Sequence, residues 1–257
     1  MREGTGEREL RPAHHRTTAH GPQLSESPSG GPFPDPAAAP TLFVPAFLKP
    51  RLRGVLHHYS FYVAAVLGVV LVIVAPSPRA RIAMSVYALS LAGCLGMSAL
   101  YHRRDWTPIM RARLGRLDHS MIFVLIAGTD TPFCVLALDG VGATWMLILV
   151  WIGAAAGIAL TLLWWRAPAI VQVGPYVVLG WVALIAVPEL SSALGWTACG
   201  LLLGGGALYT GGALIYGMER PDPWPRVFGF HEIFHCLVVA AAGLHLAAIA
   251  IFLLPRA

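Results

Sequence analysis

The chain has 257 residues, of which 56% are hydrophobic and 12% charged, with a mean hydropathy of +0.66. Soluble domains carry about 25% charged residues, and no single compact core absorbs this much apolar sequence. A water-soluble enzyme, a secreted disulfide scaffold and a disordered chain are therefore excluded, and lipid is the natural solvent for the excess. The net charge of +5 would suit a nucleic-acid binder if it were clustered. The charges instead sit between apolar runs, so no nucleic-acid partner is expected.

Residues 1–45 are rich in Pro, Gly, Ser, His and Arg and hold few large apolar side chains. Such a segment cannot offset the entropy of ordering, and a disordered N-terminal tail is expected. It has no apolar stretch followed by a small-residue cleavage site, so it does not read as a secretory signal peptide. His14, His15 and His20 are read as part of that solvated tail.

Residues 46–257 are expected to form one seven-helix transmembrane domain. Apolar runs fall at 59–75, 82–101, 119–138, 143–164, 170–188, 196–216 and 231–254. Each approaches the roughly 20 residues that a helix needs to cross a ~30 Å hydrocarbon core. Pro132, Pro175 and the Gly204, Gly205 and Gly206 run would break soluble helices but are tolerated in lipid, where small residues also bring helices close. Cys94, Cys134, Cys199 and Cys236 lie in these runs and read as buried, reduced thiols. Trp164, Trp165, Trp181 and Trp196 read as an aromatic belt at span ends.

Near the helix ends, eleven basic residues lie on the side of the juxtamembrane tail and the even-numbered loops: Lys49, Arg51, Arg53, Arg103, Arg104, Arg111, Arg113, Arg116, Arg166, Arg220 and Arg226. Only Arg79, Arg81 and Arg256 lie on the other. Positive residues stay inside, so a cytoplasmic N-terminus and an outside C-terminus are expected, in a multi-pass protein of the plasma membrane.

Polar residues at membrane depth are expensive, and each one is a functional candidate. Ser98 and His102 close the second span one turn apart, Asp118 and His119 open the third, and His231, Glu232 and His235 open the seventh. The topology puts all of them at the cytoplasmic end. His231 and His235 point to one side of a helix, about 6 Å apart along its axis. That spacing suits two ligands of one Zn²⁺, with His102 as the third. Asp118 would be the fourth ligand or would hold a water, the latter leaving the open position that catalysis requires. Ser98 would hydrogen-bond that water or a substrate carbonyl. HEIFH at 231–235 also matches the metalloprotease pattern in which the Glu is the base, but Glu232 lies roughly 100° from His231 around the helix. Asp130, within TDTP, either hydrogen-bonds a neighbour or lines a polar cavity. His57 and His58 precede the first span on the cytoplasmic side and could contribute to the site, but read first as interfacial anchors; His245 lies about 20 Å from His231, too far for the same metal.

The segments RLRGVLHHYSFYVA, SALYHRRDW, RLDHSMIFVLIAGTDTP, GGALYTGGALIYG and HEIFH together resemble the bacterial hemolysin III proteins, relatives of the progestin and adiponectin receptor (PAQR) family. The resemblance covers about residues 50–254. It implies a seven-helix bundle with zinc on His102, His231 and His235, Asp118 reaching it through a water, and Ser98 behind them. Asp130 departs from the family's usual Tyr in that segment. Hemolytic activity gives the family its name and implies pore formation, and wider relatives are zinc-dependent amidases of ceramide-like lipids. Two functions follow as expectations. One is a membrane-embedded zinc hydrolase of a lipid amide or ester, with Asp118 as general base. The other is a membrane-perturbing or signalling protein with structural zinc. Membrane lipids are the expected partners, and an intramembrane protease built on HEIFH is the weaker third reading.

Overall fold

The computed structural model describes residues 49–164 and 167–257; the N-terminal tail and Trp165 lie outside the described residues. Seven helical spans, 55–74, 78–103, 108–136, 140–163, 170–194, 196–218 and 230–256, are each long and apolar enough to cross a membrane. Among the described residues there is no strand, only an isolated bridge between Trp224 and Phe228.

The first four spans are single helices: α1 (Val55–Val74), α2 (Pro78–Arg103), α3 (Pro108–Leu136) and α4 (Gly140–Leu163). Two of them start at a side-chain cap followed by proline, the residue whose missing N–H suits a first turn. Ser77 Oγ accepts from the Ala80 N–H at 3.1 Å, and Thr107 Oγ1 from that of Met110 at 3.4 Å. The Thr-Pro start carries α3 through the arginine-rich stretch 111–116, which hydropathy leaves out. Asp118 therefore sits ten residues into α3, about 15 Å along it, rather than at its opening as the apolar run suggested.

The fifth span is broken. Helix α5 (Ala169–Trp181) gives way to a 3₁₀ stretch at Val182–Ala186 before α6 (Val187–Leu194). Pro188 supplies no N–H and its ring crowds the carbonyl four residues back, which accounts for the break. Helix α7 (Trp196–Met218) and α8 (Phe230–Ala247) complete the bundle, and α8 continues through a π turn at Ala248–Leu253.

Consecutive helices pack side by side, and α1 also meets α8, which brings the first and last spans together. Helices α2 and α3 form the interior, with about half of their apolar stretches buried. They approach closely at Gly128, where a Cβ would lie 2.0 Å from Ser90 Oγ. Apolar residues instead cover the outside: Ile73, Leu89 and Ile185 are 70%, 74% and 75% exposed. A surface of that kind is stable against lipid and not against water.

Cys94, Cys134 and Cys199 are buried free thiols, as expected, while Cys236 is half-buried. Trp196 and Trp164 are exposed, as a belt requires. Trp181 is not part of it. It sits in the middle of the fifth span and donates its Nε1–H to Thr210 Oγ1 at 2.9 Å, a bond that satisfies the indole inside the bundle.

A histidine cluster at one end of the bundle cavity

Helix α2 ends, and helix α8 begins, at the same end of the bundle, and α3 packs beside α2 there. His102, His231 and His235 are all buried, and one ring nitrogen from each lies within 4.8 Å of the others, a grouping able to hold a metal ion. His102 Nε2 and His231 Nε2 are 3.2 Å apart. Asp118 is buried against them, its Oδ2 3.5 Å from His102 Nε2. Four of the five residues expected at the site thus converge directly.

The fifth, Ser98, reaches the cluster through a residue whose sequence context suggested an interfacial anchor. His57 is buried. Its Nδ1 lies 2.8 Å from Ser98 Oγ, and its ring stacks on His235 with centroids 3.8 Å apart and planes 4° from parallel. The hydropathy run begins at 59 because it discards the HH pair, whereas α1 begins at Val55 and takes His57 into its first turn facing inward. His58, one residue on, is half-buried against Tyr59 and Tyr62, which is consistent with an anchor. A two-residue HH motif does not reveal which ring turns inward until the helix phase is known.

The approach of α1 to this site depends on Gly54. Its φ of +74° lies in the left-handed region, and a Cβ there would stand 2.6 Å from His102 Cβ. Only glycine meets both demands without strain. Arg51 and Leu52 then pair by backbone hydrogen bonds with Arg226 and Val227, just before α8.

Glu232 is buried but turns away from the three imidazoles. Its Oε2 accepts the Gly229 N–H at 2.8 Å, capping α8, and its Oε1 accepts from Arg53 Nε. Each carboxylate oxygen thus has a structural partner, an arrangement that suits a helix cap and ion pair rather than the base of the HEIFH pattern.

A cavity of about 130 Å³ runs from this cluster into the bundle, and His57, Ser98, Asp118, His231 and His235 line one end of it. His119 lines it too, with Tyr216 Oη 3.5 Å from its Nε2. The opposite end includes Asp130, Tyr209 and His245. Asp130 lines this cavity, whose walls are mainly apolar, and the neighbouring Thr131 donates to Ala127 O and accepts from Trp151. Asp130 Oδ2 is buried without a hydrogen-bond partner among the described residues.

A seven-span helical protein, integral to the membrane, with a buried histidine cluster opening on an internal cavity, is the class defined by these features. The chain belongs to the haemolysin-III related family, whose model matches residues 46–246. It is 27% identical to Hemolysin-3 of Bacillus cereus over 215 residues, covering 82% of this chain and 95% of that protein. It is 34% identical to the Hemolysin-3 homolog of Bacillus subtilis (strain 168) over 127 residues, 49% of this chain and 57% of that one. A more distant similarity, 26% over 182 residues, connects it to the adiponectin receptor protein of Drosophila melanogaster, with 64% of this chain and 41% of the receptor covered.

Proposed function

We propose that the protein is a membrane-embedded zinc hydrolase that cleaves an amide or ester of a lipid. The N-terminus would lie in the cytoplasm and the C-terminus outside, so that the His cluster faces the cytoplasmic leaflet. The asymmetry of eleven basic residues against three supports that orientation.

The donor set fits zinc. With Zn–N bonds of about 2.0–2.1 Å, two ligands of a tetrahedral ion stand about 3.3 Å apart. The 3.2 Å between His102 Nε2 and His231 Nε2 matches that edge. His102, His231 and His235 would hold the ion, which when bound acidifies water and polarises a carbonyl oxygen. Asp118 is within reach as general base: it would take a proton from the attacking water and return it to the leaving nitrogen or oxygen. Ser98 would donate to the substrate carbonyl, and His57, donating from Nδ1 to Ser98 Oγ, would leave the hydroxyl proton free for that bond. The apolar cavity would take the acyl or alkyl chain.

The single observation that carries this reading is the cavity that opens on the cluster. A metal serving only to tie α2, α3 and α8 together needs no space beside it. The test is turnover of long-chain amides and esters by purified protein in detergent. Wild type should release free fatty acid, and Asp118→Ala should lose that activity while keeping its zinc. Turnover unchanged in Asp118→Ala would overturn the reading.

The name of the Bacillus cereus relative, Hemolysin-3, favours a second reading, membrane perturbation with structural zinc. Leakage of liposomes by the pure protein that persists in Asp118→Ala would select it.

A further inference from the structure

A second polar cluster lies deep in the membrane, at the far end of the same cavity. Asp130 follows Asp118 by twelve residues on α3, about 18 Å along the axis, and His245 follows His235 by ten on α8, about 15 Å. Both residues line the cavity there together with Tyr209 of α7. Tyr209 and His245 adjoin, with ring centroids 5.6 Å apart. Asp130 and His245 also line an adjacent cavity of about 60 Å³ between α3 and the fifth and sixth spans.

Three polar atoms in this cluster, Asp130 Oδ2, Tyr209 Oη and His245 Nδ1, are buried without a hydrogen-bond partner among the described residues. Buried polar groups are nearly always partnered, by protein, water or a ligand. At this depth each is an expense that a purely structural role does not explain. The chemistry of their missing partner can be read. His245 Nε2 lies 3.1 Å from the Leu202 carbonyl, which only accepts, so Nε2 carries the hydrogen and Nδ1 of the neutral ring is a bare acceptor. The Asp130 carboxyl and the Tyr209 hydroxyl each adapt to the partner they meet, so His245 Nδ1 is the one obligate acceptor and calls for a donor. The walls between the two clusters are apolar, with Ile122, Leu125, Ile126, Val173, Val177 and Val238.

We propose that Asp130, Tyr209 and His245 form a binding subsite for a hydrogen-bond donor, a hydroxyl or protonated amine, carried by a long-chain amphiphile whose alkyl portion lies along the cavity. A fatty acid in its carboxylate form only accepts and finds a bare acceptor in His245 Nδ1, so alcohols and amines are preferred at that end. The subsite stands whether or not the His cluster holds zinc.

The experiment is native mass spectrometry of the full-length protein in detergent with dodecan-1-ol, dodecylamine and dodecanoic acid as probes. Each probe is compared between wild type and variant, so that its partitioning into micelles cancels. Zinc content is measured in parallel. Wild type should bind the alcohol or the amine, one per chain, and whichever binds tighter identifies the donor. Asp130→Leu should weaken that probe about tenfold or more while binding of dodecanoic acid is unchanged or improved. Tyr209→Phe, which removes one oxygen and no packing, should weaken it several-fold, and it carries the test if Asp130→Leu does not fold. Equal binding of that probe in wild type and the variants would overturn the proposal and leave water as the occupant. Because binding and zinc are read separately, loss of zinc or of turnover elsewhere does not mimic either result.

Discussion

Replacing Glu232 by Gln separates the structural role of this residue from the catalytic one that its HEIFH context suggests. The carboxylate makes two bonds, one accepted from the Gly229 N–H at 2.8 Å and one from Arg53 Nε. Gln keeps an oxygen for the cap and loses the charge facing the guanidinium. A fully buried pair costs about 3–5 kcal/mol to break from one side, and a hydrogen bond to a charged group is worth about 1.5–3 kcal/mol. Arg53 is 22% exposed on its side chain and recovers hydration, which moves the expected loss toward about 1–2 kcal/mol. Thermal unfolding in detergent should therefore show a midpoint lower by a few degrees, with zinc content and any hydrolytic turnover preserved. Undiminished stability together with abolished turnover would refute this reasoning and restore Glu232 as a general base.

Other consequences are open to direct measurement. His57→Phe keeps a ring against His235 but releases Ser98, so turnover should fall while zinc stays bound, and metal lost with the substitution would make His57 a ligand. Gly128→Leu forces a side chain into the 2.0 Å contact with Ser90; overpacking of this kind costs about 1–3 kcal/mol, read as a lower unfolding midpoint that Gly128→Leu paired with Ser90→Gly partly recovers. Stripping metal with a chelator should lower the midpoint of wild type, because a ligand present at 100 times its Kd stabilises by about 2.7 kcal/mol, and should leave that of His235→Ala unmoved. Asp130→Leu removes a buried oxygen, Oδ2, that has no hydrogen-bond partner among the described residues and should raise the midpoint.

The spans and the cluster were legible because lipid enforces both. Backbone groups in hydrocarbon must be satisfied within helices, so apolar length reports the span, and a polar residue at depth stands out against a uniform background. His102, Asp118, His231 and His235 lie on three elements distant in sequence, and the loop charges alone put them at one end. The ends of spans were less legible. Hydropathy stops where arginines begin, yet α3 runs on through Arg116, Arg113 and Arg111 to a Thr-Pro cap, and α1 reaches back past the histidine pair to Gly54. That missing turn of α1 is why His57 read as an anchor rather than as part of the site. Trp181 misled for a related reason: a run that stopped at 188 made it look close to a span end, whereas the kinked span continues to Leu194. The partners of Glu232 could not be read from HEIFH, since Arg53 lies 179 residues away. The orphaned atoms of Tyr209 and His245 were equally invisible, because an unpartnered atom is a property of packing.

Metal content of the purified protein, determined by elemental analysis on wild type, His235→Ala and Asp118→Ala, tests the zinc proposal most directly. About one zinc per chain in wild type is expected, lost in His235→Ala and kept in Asp118→Ala, as an open site with Asp118 beside the ion requires. Zinc lost in both variants would make Asp118 a direct ligand of a closed, structural site. Wild type that holds no zinc would contradict the metal centre altogether.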